Sequence, residues 1–226
     1  MKFILTGRKV ILITICQILI IDPVLLFSEP ADNPVADYYW DRARSVRKSR
    51  DPVETGTSYS FVATSFYKKV DRRGQVVDVD TLSSEYFFSW GNLDSSRTLF
   101  GDPDRFRTLD LNVPDIFKFD YYHYFFSNDT GGADLAIGFD TRVASDPGPV
   151  GLIIIDRNRF LLRWMYLFYP FKEKYKRFSR SFRFVEIEGY LFPDSIWEVG
   201  SKRGIFFSDD YRLETGIDNF KIYRNR

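Results

Sequence analysis

Cysteine and histidine are almost absent from this chain: Cys16 and His123 stand alone of their kinds in 226 residues. A single cysteine forms no intramolecular disulfide, and zinc sites built from cysteines or several histidines are excluded. An excess of one charge is lacking as well. Thirty-two Lys and Arg face 31 Asp and Glu, a formal net charge of +1, so bulk charge implies neither nucleic acid nor an anionic membrane as partner. No apolar run is long. VILITICQILII begins at Val10 and stops before Asp22-Pro23, short of the roughly twenty residues that a membrane-spanning helix needs.

That run follows Lys2, Arg8 and Lys9, the order of a secretory signal peptide. Residues 1–28 are read as that peptide and 29–226 as a single β-rich domain, with cleavage after Ser28. Retention as an anchor and lipid attachment at Cys16 are the competing readings; Ile15 opposes the second, because lipoprotein processing wants a small residue there. Cleavage would remove Lys2, Arg8, Lys9 and Asp22, leaving a net charge of about −1, together with the only cysteine. An exported chain without disulfides suits a bacterial periplasm better than eukaryotic secretion.

Aromatics are abundant, with 23 Phe, 14 Tyr and 4 Trp. Such residues favour strands, and Tyr places a polar tip at the edge of a core or cavity. The composition fits a β-rich protein or one with an aromatic-lined cavity. Asn33-Pro34 caps and opens a helix expected to run to about Arg50, before Pro52. Val35, Tyr39, Ala43 and Val46 share its apolar face, and Asp37, Asp41, Arg44, Ser45 and Lys48 its charged one. From Ser58 onward the chain reads as strands joined by turn residues, an antiparallel meander with little length for crossover helices. Candidates include 59–70, 76–90, 95–100, 135–141, 151–155, 160–169, 176–192, 195–207 and 211–223, with a polar aromatic stretch over 101–127.

In FLLRWMYLFY, strict alternation points Phe160, Leu162, Trp164, Tyr166 and Phe168 one way, and leaves Arg163 as the only charge on the other side. With both faces apolar, the middle of the sheet is either covered twice or has a core on one face and a ligand cavity on the other. KRFSRSFRF differs, because Phe178, Phe182 and Phe184 alternate with Ser179, Ser181 and Arg183 to leave one wet face.

Motifs for chemistry are thin. Asp129-Thr130-Gly131 carries the triplet of an aspartic protease, but such enzymes pair two carboxylates and no second triplet exists. Asn128, Asp129, Asp134, Asp140 and Asp146 are hard donors at spacings that match no calcium loop. His123 sits among aromatics in DYYHYFF without the signature of a triad, and Glu186 and Glu188 read as surface charges as readily as a glycosidase pair. Catalytic residues, metal ligands and cofactors are therefore expected to be none.

The order of elements resembles a family. A signal peptide, one amphipathic helix and a long meander are followed by Ile155-Asp156 with Leu161 or Leu162, then by FRFVEIEGYLFPDSI from Phe182 to Ile196. This pattern is similar to the outer-membrane lipoprotein-sorting (LolA-like) superfamily. The resemblance implies an α+β, mainly β fold: a curved antiparallel sheet, an incomplete β-barrel, with the N-terminal helix packed on its concave face. It also implies a periplasmic carrier of lipid or lipoprotein acyl chains in that concavity, without enzymatic activity. Transient contact with the envelope membrane or a protein partner fits the same picture, and nucleic acid does not. The expected lining is Tyr39 and Val46 from the helix, Phe160, Leu162, Trp164, Tyr166 and Phe168 from the central strand, and Phe182 and Phe184 from the next. Alternatives are an aromatic carbohydrate-binding or hydrolysing envelope protein and a purely structural one.

Overall fold

The computed structural model describes residues 33–71, 73–106, 109–125, 132–142, 148–170, 175–203 and 208–223. The expected signal segment and the Asp129-Thr130-Gly131 triplet lie outside them. Helix α1, Pro34–Arg50, begins as its sequence demands: the Asn33 side chain accepts from the amides of Val35 and Ala36 at 3.1 and 3.2 Å, and Pro34 occupies the first turn where no amide is needed. Its buried face is rotated from the expected stripe. Ala36, Trp40 and Ala43 are buried, Tyr39 and Val46 are partly so, and Val35 is 55% exposed. The two alanines let the helix lie close to the sheet while Trp40 supplies the anchor.

Ten strands follow: β1 Ser58–Val70, β2 Val76–Ser89, β3 Asn92–Phe100, β4 Tyr121–Phe125, β5 Asp134–Thr141, β6 Val150–Asp156, β7 Leu162–Phe168, β8 Tyr175–Ile187, β9 Tyr190–Arg203 and β10 Ser208–Tyr223. They form one antiparallel sheet in the order β3-β2-β1-β10-β9-β8-β7-β6-β5-β4, curved but not closed into a barrel. The expected helix, sheet and architecture are present. Two details of the strand reading are corrected. The run 176–192 is two strands, because Glu188-Gly189, both with positive φ, turns the chain between β8 and β9. A short strand, β4, lies inside the stretch taken as irregular.

The meander breaks once. β3 and β4 sit at opposite edges of the sheet, so residues 101–120 must cross the whole of it. Gly101 starts that crossing at φ +89°, and a Cβ there would fall 2.1 Å from the carbonyl oxygen of Thr81, so only glycine lets the chain turn this tightly over β2. The crossing segment, here called the strap, buries Phe106 against Leu82, Tyr211 and Leu213, and Ile116 and Phe117 in the main core. The core therefore lies on the concave face of the sheet, under both α1 and the strap.

Candidate functional site

Strand register decides which side chains look into the concavity. Met165 faces Phe182 across β7 and β8, Ile153 faces Met165 across β6 and β7, and all three are fully buried in the core that holds Trp40. Trp164 faces Ile154 and Arg183, one position over, and so points to the convex side. Of the nine expected lining residues, six lie with the helix. Leu162, Phe182 and Phe184 are buried in the concave core, with Tyr39 and Val46 packed against it. Phe160 stands at the rim, where its ring lies 5.8 Å from that of Tyr39 under the guanidinium of Arg42.

Trp164, Tyr166 and Phe168 are on the other face, a correction to the alternation read from sequence. The cause is a β-bulge. Ile154 pairs with Trp164 and Ile155 with Leu162, so Arg163 is an extra residue and every side chain beyond it changes face. Met165 and Leu167 take the inward positions instead.

At the α1 end the concavity is aromatic. The Trp40 ring stacks on His123 at 4.3 Å and meets Phe117 at 4.8 Å and Phe139 at 5.2 Å. Asp37 holds the Nδ1 of His123 at 2.6 Å, tying helix to edge strand, while Nε2 is buried without a hydrogen bond among the described residues. The lone histidine is thus a packed, hydrogen-bonded ring. Below Phe184 lies the Arg47 guanidinium, paired with Asp51 at 3.2 Å; burial lowers its pKa, against the opposing pull of Asp51.

Beyond Phe182 the concavity turns polar, a feature that sequence reading missed. Arg180 and Glu198, each about 5% exposed, face each other across β8 and β9 at 3.4 Å. Glu198 accepts from the Tyr211 hydroxyl at 2.6 Å, and burial, then the Glu198 charge, pushes that phenol far above its usual range. Arg180 also reaches the strap. It donates to the carbonyl oxygens of Asp110 and Asn112 and pairs with the Asp110 carboxylate at 3.2 Å. The signal was available in KRFSRSFRF: Arg180 shares the parity of Phe178 and Phe182.

The convex face has two parts. Over β6 and β7 it carries Val150, Leu152, Ile154, Trp164, Tyr166 and Phe168, all partly buried. β5 extends this panel with Ala136 and with Gly138, where a Cβ would fall 2.3 Å from the Tyr124 ring lying across it. Over β8 to β10 this face is mixed: Ser181, Arg183, Val199, Arg212 and Glu214 lie on it with the buried Ser179, and Trp197 reaches back to stack on Trp164 at 5.3 Å. A cleft of about 440 Å³ lies at the strand ends nearby, lined among others by Arg177, Val199, Asp210 and Arg212.

The carboxylates weighed as metal or catalytic groups are dispersed. Asp134 and Asp140 lie six residues apart along β5, Glu186 is bound by Arg50 and Arg159, and Glu188 is in an exposed turn. Among the described residues no three acidic, cysteine or histidine side chains gather where they could hold a metal ion.

No protein-family profile matches the chain, and no curated protein does. Solved structures align with it in outline. A LolA superfamily protein from Nitrosomonas europaea shares 10% identity over 84% of this chain and 94% of its own, with a TM-score of 0.36. An outer membrane lipoprotein-sorting protein domain from Vibrio parahaemolyticus shares 9% identity over the same fractions, with a TM-score of 0.44. A DUF1329 family protein from Desulfovibrio piger shares 10% over 84% and 93%, at 0.25. The loose LolA-like likeness read from the sequence is present in these alignments, and at such scores it concerns outline alone.

Proposed function

We propose that this protein is a non-enzymatic carrier of an apolar ligand with the chemistry of a lipid or lipoprotein acyl chain, acting in the bacterial periplasm. Residues 1–28 are its export signal and 29–226 its single working domain. The ligand takes the concave face by displacing the strap.

The observation that carries this reading is how the strap is held. Its apolar side chains fill the concavity, yet its central stretch, 109–117, pairs with no strand among the described residues. Arg180 ties that stretch to the sheet through one side chain. An acyl chain can therefore replace Leu109, Leu111, Val113 and Ile116 as apolar contacts without breaking a β-ladder, which would expose unpaired backbone groups at a cost of about 1 to 3 kcal/mol each. Tyr39, Val46, Leu162, Phe182 and Phe184 remain as lining, with Phe160 at the entrance.

Titration with a fluorescent fatty acid under hydrogen-exchange mass spectrometry tests this. Amides of residues 101–120 should lose protection as the probe saturates. A probe that does not bind, or binds while those amides stay protected, contradicts strap displacement.

A further inference from the structure

We propose that the guest of the concavity is a single-chain amphiphile with a carboxylate head, the chemistry of a free fatty acid, and that Arg180 receives this head in place of Asp110. Such a guest must displace the strap, so the assignment rests on the carrier reading and narrows it to one class of ligand. The Arg180 guanidinium is 5% exposed and lies over the Phe182 ring at 5.0 Å, at the border between the apolar lining and the polar end of the concavity. Its two edges are served differently. At the Nε edge stands Glu198, from the neighbouring strand, at 3.4 Å; this carboxylate also accepts from Tyr211, so the sheet holds it whether or not the strap is in place. At the Nη edge three acceptors come from the strap: the Asp110 carboxylate at 3.2 Å, the Asn112 carbonyl at 3.3 Å and the Asp110 carbonyl. The Tyr169 hydroxyl lies beside them.

The strap thus imitates an amphiphile. Leu111 and Val113 pack on the main core, and Asp110 beside them brings a carboxylate to the guanidinium. A bare hydrocarbon that displaced this segment would replace the two apolar side chains and leave the buried Nη groups without their three acceptors, a loss that weighs most on a charged donor. A carboxylate head restores what was lost, because its two oxygens match the fork of a guanidinium. It also preserves the local charge, since Arg180 again lies between two carboxylates. A cationic head would face the guanidinium directly, and a doubly charged anion would add a charge beside buried Glu198. The Asp110 side chain is 51% exposed, so the head would lie where the concavity borders water, with the tail along Phe182 and Phe184. An acyl chain in ester or amide linkage brings no such head.

The test is calorimetric titration of the full chain, above neutral pH where a free carboxyl is ionised, with dodecanoic acid, dodecanol and methyl dodecanoate, which share one alkyl chain. The acid should bind at least about tenfold more tightly than either neutral compound. In the double variant Arg180→Met with Glu198→Gln, which removes both buried charges together, the acid should lose that lead and bind no more tightly than dodecanol, with folding checked by near-ultraviolet circular dichroism. Asp110→Ala, on the strap, should tighten all three by about twofold to fivefold, because it weakens the segment that each must displace. Equal affinities for the acid and the neutral compounds in wild type overturn the assignment and leave the carrier reading standing, whereas binding of none of the three removes both. A preference for the acid that survives in the double variant places the head elsewhere. An Asp110→Ala protein that binds the acid no more tightly than wild type shows that the two carboxylates do not compete, and either result overturns the role given to Arg180.

Discussion

The two faces of one sheet are built from the same residue types and do different work. On the concave face Phe139, Phe182, Ile153 and Met165 are fully buried under α1 and the strap. On the convex face Trp164, Tyr166 and Phe168 sit on β7, one position away from Met165 and Leu167, and are only partly buried, with Trp197 stacked on Trp164. What separates core from surface is the cover, and the cover on the concave side is partly the helix and partly a segment that, among the described residues, pairs with no strand. That difference makes the concave face the place for a guest that competes with the protein's own side chains.

The largest expected effect lies where that cover is tied down. Arg180→Met should cost about 3 to 5 kcal/mol in urea denaturation, because it strands Glu198 as a buried, unpaired charge. Adding Glu198→Gln, which keeps an acceptor for the Tyr211 hydroxyl, should restore more than half of the loss. A single variant within 1 kcal/mol of wild type would mean that the pair holds nothing.

The comparison between faces sharpens with matched truncations. Phe182→Ala, on the concave side, should cost about 3 to 5 kcal/mol by leaving a cavity in packed surroundings, whereas Phe168→Ala should cost less than about 1.5 kcal/mol. Equal losses would show that the convex panel is as closely packed as the core.

A smaller effect concerns acid. The Glu186 carboxyl is held below its usual range first by the hydrogen bond from Arg159, with Arg50 adding to it, and Asp156 first by the backbone amide of Arg159. Folded-state values lowered in this way stabilise above the unfolded carboxylate pKa, about 4, and that stability is lost as pH falls through the folded values. Partial exposure limits the effect, so the Arg159→Ala protein should lose less than about 1 kcal/mol at pH 7 and show a shallower fall in stability below pH 4. Parallel pH curves for the two proteins would contradict this.

Helix, strands and their antiparallel order were legible because each rests on local signals: a cap at Asn33, alternation along strands, glycine at turns. The lining was half legible. Period-two reasoning assigned Leu162 and Phe182 to the inside but put Trp164, Tyr166 and Phe168 with them, because a bulge at Arg163 leaves no mark in a run so uniformly apolar. The helix stripe was misjudged in its first half, where Val35 and Tyr39 were chosen and Ala36 and Trp40 are the buried residues, while Ala43 was placed correctly. The strap was hidden because its cover depends on sheet order. Residues 101–120 look like a polar loop until β3 and β4 are found at opposite edges.

Single-tryptophan proteins test the central claim most directly, because Trp40 lies in the concavity and Trp164 on the convex panel. With the other three tryptophans changed to phenylalanine, titration with a brominated fatty acid should quench Trp40 saturably and leave Trp164 nearly unchanged. Quenching of Trp164 with Trp40 unaffected would place the apolar ligand on the wrong face and contradict the account.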